Sequence, residues 1–128
     1  MKNAISIAMM ALFSLCCAAQ NISVQSINYP TRYLRHSDSK GYLGEMLSDL
    51  DRQDASFKLV NAGIPDCPNC IRFESVNYPG QYLRHSNYLI WLSALSSDLD
   101  YKDASFRLVQ GLAGTDRVQR TTHADVFR

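Results

Sequence analysis

The stretch "SVNYPGQYLRH", Ser75–His85, decides the fold because the chain contains it twice. Its earlier copy, "SINYPTRYLRH", runs from Ser26 to His36. A second pair of segments matches at the same offset of 49 residues: "SDLDRQDASFKLV" over 48–60 and "SDLDYKDASFRLV" over 97–109. No gap is needed between residues 22 and 60. A period of this length indicates a tandem duplication that builds a repeat architecture or a pseudo-symmetric fold.

Each repeat is predicted to contain four short strands. In the second copy they are "IRFESV", "QYLRH", "LIWLSAL" and "ASFRLV", where apolar and polar residues alternate or apolar residues run together. "SSDLDYKD" is predicted to be a polar loop. Pro79-Gly80 suits a type II turn, whereas Pro30-Thr31 suits type I. Four-stranded units are typical of all-β folds arranged around an axis, either a β-trefoil with three units or a propeller with at least four.

The first 19 residues are predicted to be a signal peptide. Lys2 precedes the apolar run "AISIAMMALFSL" and the small-residue patch "CCAAQ", which is the pattern of a cleaved secretory leader. Cleavage removes one of 13 Lys and Arg and none of 12 Asp and Glu, so the remaining domain, residues 20–128, has no net charge. We therefore expect a secreted, extracellular protein with a neutral partner rather than nucleic acid or a membrane surface.

Two cysteines remain after cleavage, Cys67 and Cys70, in "CPNC". In an export pathway this pair predicts a disulfide. Free thiols and a redox or metal site are the alternatives. The segment runs into strand-like sequence rather than a helix, and it supplies only half of a four-cysteine zinc site. We expect no metal and no cofactor. "NIS" makes Asn21 an N-glycosylation acceptor if the host glycosylates.

Two motifs in fixed order, "SVNYPGQYLRH" and then "DASFRLVQGLAG", resemble the arabinose-binding domain of α-L-arabinofuranosidase B proteins, carbohydrate-binding module family 42. The resemblance covers most of residues 22–114, in both copies. It implies a β-trefoil that binds L-arabinofuranose side chains of hemicellulose in one pocket per lobe. It also implies that His36 and Asp54 form the first pocket and that His85 and Asp103 form the second.

These residue types suit a neutral sugar. A carboxylate accepts hydrogen bonds from neighbouring hydroxyls, a neutral imidazole offers one donor and one acceptor, and an aromatic ring covers the apolar side of the sugar. Tyr88 is predicted to be that aromatic wall in the second pocket, with Tyr82 and Trp91 as the other candidates. Ser39 replaces it in the first pocket, so the second is expected to be the better binding site. The structural alternative is that each aspartate caps a turn and each histidine is a satisfied framework residue.

The aspartates of the two "SDLD" segments raise a separate question, because acid pairs also occur in glycosidases and calcium sites. A glycosidase needs two carboxylates held across a bond with separated pKa values. Aspartates one residue apart in a loop do not have that arrangement. We interpret Asp49, Asp51, Asp98 and Asp100 as parts of solvated turns.

The repeats leave an incomplete fold. Repeat one covers 22–70 and repeat two covers 71–114, and the tail 115–128 contains no third "NYP…YLRH". We predict a partial trefoil with a short or degenerate third lobe, and self-association is one way to complete it. The expected function is a secreted module that binds arabinofuranose-bearing polysaccharide without catalysing its hydrolysis. One alternative is a part of, or accessory to, an α-L-arabinofuranosidase acting in L-arabinose metabolism. The other is a lectin-like or structural trefoil with decayed pockets.

Overall fold

The computed structural model describes residues 21–109. These residues form eight strands and two short helices. The elements in chain order are β1 (Asn21–Ile22), β2 (Arg32–Ser37), β3 (Lys40–Glu45), α1 (Asp49–Asp54), β4 (Phe57–Asn61), β5 (Cys70–Ser75), β6 (Tyr82–Ser86), β7 (Leu89–Ser93), α2 (Asp98–Asp103) and β8 (Phe106–Arg107). The predicted signal peptide and the tail 115–128 lie outside the described residues.

The strands form one curled antiparallel sheet in which the two repeats have the same layout. Its order is β1-β4-β5-β6-β7-β3-β2, with β8 also paired to β5. In each repeat the two middle strands make a hairpin, and the first strand pairs with the last: Ile22 opposite Phe57, and Ile71 opposite Phe106. The chain is therefore an all-β protein with two lobes of a trefoil, as the sequence predicted.

The two repeats contact each other in two regions. Strand β4 pairs with β5 over five residues, from Phe57 opposite Ser75 to Asn61 opposite Ile71. The hairpins meet where the backbone N–H of Leu92 donates to the carbonyl of Ser39 at 2.9 Å. The junction is tight there, because a Cβ on Gly41 would lie 2.7 Å from Ile90 Cγ2.

The turns follow the predicted chemistry. The Tyr78–Gln81 turn closes with a 3.1 Å backbone hydrogen bond, and Gly80 has φ 84°, as a type II turn requires. The hairpin tips are two-residue turns with positive φ at both positions. These are Asp38-Ser39, with φ 49° and 62°, and Asn87-Tyr88, with φ 51° and 63°.

The polar segments predicted as loops are in fact helical turns. Ser48 caps α1: its hydroxyl accepts from the Asp51 N–H at 3.1 Å, and the Asp51 carboxylate accepts from the Ser48 N–H at 2.9 Å. Ser97 and Asp100 repeat this reciprocal arrangement at α2. Six residues are too few for a helical hydrophobic period, so only the capping pattern marked these helices in the sequence.

Two apolar clusters hold the lobes. Phe57, Leu83 and Leu92 are buried together and come from both repeats, and Leu34, Phe73 and Ile90 pack against them. A smaller cluster of Ala62, Cys67 and Cys70 fills the connection between the repeats. There Cys67 and Cys70 form the predicted disulfide. Within residues 21–109, no helix has the length and apolar character needed to cross a membrane.

Candidate functional site

The predicted histidine and aspartate of repeat one lie side by side and are buried. His36 is near the end of β2, and Asp54 ends α1, which packs over that strand. The distance from His36 Nε2 to Asp54 Oδ1 is 3.7 Å, beyond a direct hydrogen bond. A third side chain therefore has to link them.

That link is Asn77, which belongs to the other repeat. Its Nδ2 donates to Asp54 Oδ1 at 2.7 Å, and its Oδ1 lies 3.1 Å from His36 Nε2. Ser75 Oγ, fully buried, donates to Asn77 Oδ1 at 2.9 Å and lies 3.2 Å from His36 Nε2. The site is thus assembled across the junction between the repeats.

Sequence reasoning missed this role of Asn77. The "NYP" motif was assigned to a turn, and it does form one: Ser75 Oγ also accepts from the Tyr78 N–H at 3.1 Å. The available signal was the repeated Ser-x-Asn spacing, which both copies retain. Asn77 is 41 residues away from His36 in the sequence, so only the packing of the two lobes shows that they meet.

Arg35 holds the other side of the aspartate. Its guanidinium donates to Asp54 Oδ2 at 2.9 Å and also bonds Asp51. Burial acts to lower the pKa of Arg35, but the hydrogen bonds to these carboxylates outweigh it, so the pKa lies above its ordinary value. The pKa of Asp51 is lowered: burial acts to raise it, and the Leu47 N–H and Arg35 reverse that effect. Asp51 is therefore a paired framework residue rather than part of a solvated turn.

A cavity of about 320 Å³ opens beside this cluster. Its lining residues combine polar groups with apolar and aromatic surface: His36, Ser37, Asp38, Ser39, Leu50, Asp54, Tyr78, Gln81 and Leu92. The half-exposed ring of Tyr78 meets His36 edge to face at 5.4 Å between centroids. Ser39 has no aromatic ring to offer the first pocket, and Tyr78 of the second repeat supplies that ring instead.

Repeat two has the same pair in an open setting. His85 Nε2 lies 3.5 Å from Asp103 Oδ1, but the His85 side chain is 58% exposed. Arg84 bonds Asp100, as Arg35 bonds Asp51. Among residues 21–109, no asparagine bridges His85 and Asp103 as Asn77 bridges the first pair.

Tyr88, predicted as the wall of that second site, is not packed against the pair in residues 21–109. It is at the tip of the β6–β7 hairpin, with its side chain fully exposed. The equivalent tip of repeat one, Asp38-Ser39, lines the first cavity because the second repeat packs against it, and within residues 21–109 no repeat packs against the Asn87-Tyr88 tip. The other aromatic candidates are also occupied: Tyr82 donates to Glu74 at 3.1 Å, and Lys40 lies over the Trp91 ring at 5.4 Å.

The arrangement at the first site can bind hydroxyl groups. Each carboxylate oxygen of Asp54 has two acceptor positions and uses one for a protein donor, which leaves acceptor capacity. A small concave site with a few placed polar groups and an apolar wall is typical of small-ligand recognition. The residues described contain no group of three His, Cys, Asp or Glu side chains suited to holding a metal ion.

Comparisons with known proteins agree with this geometry. The family model for the alpha-L-arabinofuranosidase B (ABFB) domain matches residues 12–59 and 46–124. One similar solved structure is a mutant GH54 α-L-arabinofuranosidase soaked with 4-nitrophenyl α-L-arabinofuranoside, with 27% identity and a TM-score of 0.62 over 70% of this chain. Another is an arabinofuranosidase complexed with arabinofuranosyl-α-1,2-xylobiose, with the same identity, TM-score and coverage.

The chain spans 19% and 20% of the lengths of those two enzymes. A comparison with curated protein sequences found no match. The family model, in contrast, matches both repeats and far more than half of the sequence. The chain therefore belongs to the alpha-L-arabinofuranosidase B (ABFB) domain family.

Proposed function

We propose that this protein is a carbohydrate-binding module for L-arabinofuranose side chains of hemicellulose and that the His36–Asp54 pocket is its main site. One observation carries the proposal: the carboxylate of Asp54, held by Arg35 and Asn77, faces a cavity walled by Tyr78. A fixed carboxylate with free acceptor positions beside an aromatic ring suits a neutral sugar. The arabinofuranosyl ligand of a solved relative supports the choice of sugar.

The geometry favours the first pocket over the second. Hydrogen bonds from Arg35 and Asn77 already hold the Asp54 carboxylate, so little side-chain entropy is lost when a sugar binds. Within residues 21–109, His85 and Asp103 have neither a bridging asparagine nor a tyrosine ring against the histidine. We propose that the second pair contributes weakly in an isolated chain, and that the protein acts outside the cell, as its N-terminal sequence pattern suggests.

Calorimetry with arabinofuranosyl-α-1,2-xylobiose tests the proposal. Tyr78→Ala is the sharpest variant, because the half-exposed ring lines the cavity without belonging to the buried hydrogen bonds. We expect it to weaken binding about tenfold, from loss of the ring contact. Tyr101→Ala is the matched control, since Tyr101 is similarly exposed and lies outside the cavity.

A second pair of variants compares the two sites. Asp54→Ala should weaken binding about tenfold or more, since a lost hydrogen bond to a charged acceptor is worth about 1.5–3 kcal/mol. Asp103→Ala should weaken it less. Equal affinity for wild type, Tyr78→Ala and Asp54→Ala would exclude this pocket as the sugar site. Release of nitrophenol from 4-nitrophenyl α-L-arabinofuranoside would instead favour a catalytic role.

A further inference from the structure

The first repeat carries a preformed copy of the turn that completes the sugar pocket. Ser26 Oγ donates to Asn28 Oδ1 at 3.0 Å and accepts from the Tyr29 N–H at 3.2 Å. The equivalent distances at Ser75 and Asn77 are 2.9 and 3.1 Å. Among residues 21–109, no acceptor lies within hydrogen-bond distance of Asn28 Nδ2. This Ser26–Tyr29 segment is called the free turn below.

Apolar side chains next to the free turn are also uncovered. Ile27 is 98% exposed, whereas its repeat-two equivalent, Val76, is partly buried at the junction. At the opposite end of the chain, Leu108 and Val109 are 66% and 69% exposed, whereas their repeat-one equivalents lie partly buried in β4. Each end of the described chain thus exposes the apolar groups whose equivalents are partly buried where β4 meets β5.

We propose that the open end of repeat two is a docking surface for the first repeat of another copy of this protein. The Asn28 amide of that copy then bridges His85 and Asp103, as Asn77 bridges His36 and Asp54. The strands extend the same pairing: since Phe57 lies opposite Ser75 and Leu59 opposite Phe73, the register places Phe106 opposite Ser26 and Leu108 opposite Val24 of the incoming copy.

The chain itself supplies the reason to choose another copy as the occupant. Its first repeat carries the free turn and its second repeat carries the unfilled site, so the two ends are complementary. Residues 110–128 contain no asparagine and no tyrosine, so they hold no further copy of the "NYP" turn that completes the first site. An interface between unlike ends is heterologous, and it closes only in a ring.

The number of repeats fixes the smallest closed assembly. A trefoil ring has three positions and each copy has two repeats, so three copies fill two rings. Two of the copies each contribute both of their repeats to one ring. The third copy contributes one repeat to each ring, with the connection 62–69 as the hinge, in the manner of a domain swap. Every histidine–aspartate pair in that assembly receives an asparagine.

The test is the mass of the full-length chain in solution, measured by light scattering after size exclusion. We expect three chain masses. Asn28→Asp should dissociate the assembly, because it removes the amide donor and places a carboxylate against Asp103. Gln53→Glu, which adds the same charge at an exposed helix position outside the connection, should leave the mass unchanged.

The double variant Asn28→Asp, Asp103→Asn tests the contact directly. It exchanges the amide and the carboxylate where repeat two of one copy meets the first repeat of the next, so the mass should rise above that of the Asn28→Asp chain. A mass below three chains for the wild type at every concentration overturns the proposal. So does an assembly that survives Asn28→Asp, or a double variant whose mass stays at that of Asn28→Asp.

Discussion

Replacing Asn77 by alanine should destabilise the fold as well as weaken sugar binding. Asn77 is the side chain through which each repeat holds the other, since it bonds Asp54 and contacts His36 from across the junction. Its removal leaves the packing of the turn largely intact, because Ser75 still accepts from the Tyr78 N–H. The loss is therefore confined to the polar cluster.

The magnitude depends mainly on Asp54. Ser75 and His36 stay within 3.2 Å of each other, so each keeps a partner. The Asp54 carboxylate is buried, and it loses a donor at 2.7 Å. A hydrogen bond to a buried charged group is worth about 1.5–3 kcal/mol. We expect a loss of about 2–3 kcal/mol, or about 10–20 °C in Tm for a domain of this size.

Urea unfolding followed by circular dichroism measures this free energy from the midpoint and slope. Asn69→Ala is the control, because Asn69 is an exposed asparagine in the connection between the repeats. We expect it to change stability by less than about 0.5 kcal/mol. Equal midpoints for Asn77→Ala and Asn69→Ala would contradict the role assigned to Asn77.

A double-mutant cycle checks the specific partner. In an Asp54→Ala background there is no carboxylate to leave unpaired, so Asn77→Ala should then cost less than about 1 kcal/mol. The coupling between the two positions should reach about 1.5 kcal/mol, as for residues in one hydrogen-bond network. Additive effects would refute the reasoning.

Three further predictions concern the framework. Removing the Cys67–Cys70 disulfide with serine at both positions should lower the free energy of unfolding by about 2 kcal/mol, the loop-closure value for so short a ring; reduction of the wild type in the same urea assay should match it. Gly41→Ala should cost about 1–3 kcal/mol through the clash with Ile90, and Ile90→Ala in the same chain should recover part of it, measured by Tm. The pKa of Asp100 lies well below its usual value of 3.8, because the backbone N–H groups of Ser96 and Ser97 donate to its carboxylate. Its contribution to stability is therefore present above about pH 4 and is lost as the pH falls below it; Asp100→Asn should reduce the acid dependence of the unfolding midpoint.

Much of the fold followed from the repeat. The strands, the type II turn at Gly80 and the disulfide all came from local patterns that the structure confirms. The two helices did not, since six residues are too few to show a helical period. Asp51 and Asp100 looked solvated because their arginine partners are 16 residues away in the sequence.

The site was predictable only in part. The repeated motifs pointed to His36 and Asp54, which the structure places together. Asn77 and Tyr78 come from the next repeat, and no local pattern shows which lobe surfaces meet. Tyr88 is exposed at a hairpin tip in residues 21–109, and closeness in sequence to His85 says nothing about which surface covers that tip.

The first pocket is complete because it lies between two repeats, and this determines how many sugar sites such an architecture can have. When each pocket needs groups from two successive repeats, an open array of repeats has one complete pocket fewer than it has repeats, and a closed ring has as many. For a ligand displayed many times along a polysaccharide, the step from one pocket to several changes the avidity by orders of magnitude without any new contact to the sugar. In the proposed ring, closure would itself control binding strength, acting through the number of pockets rather than the quality of each.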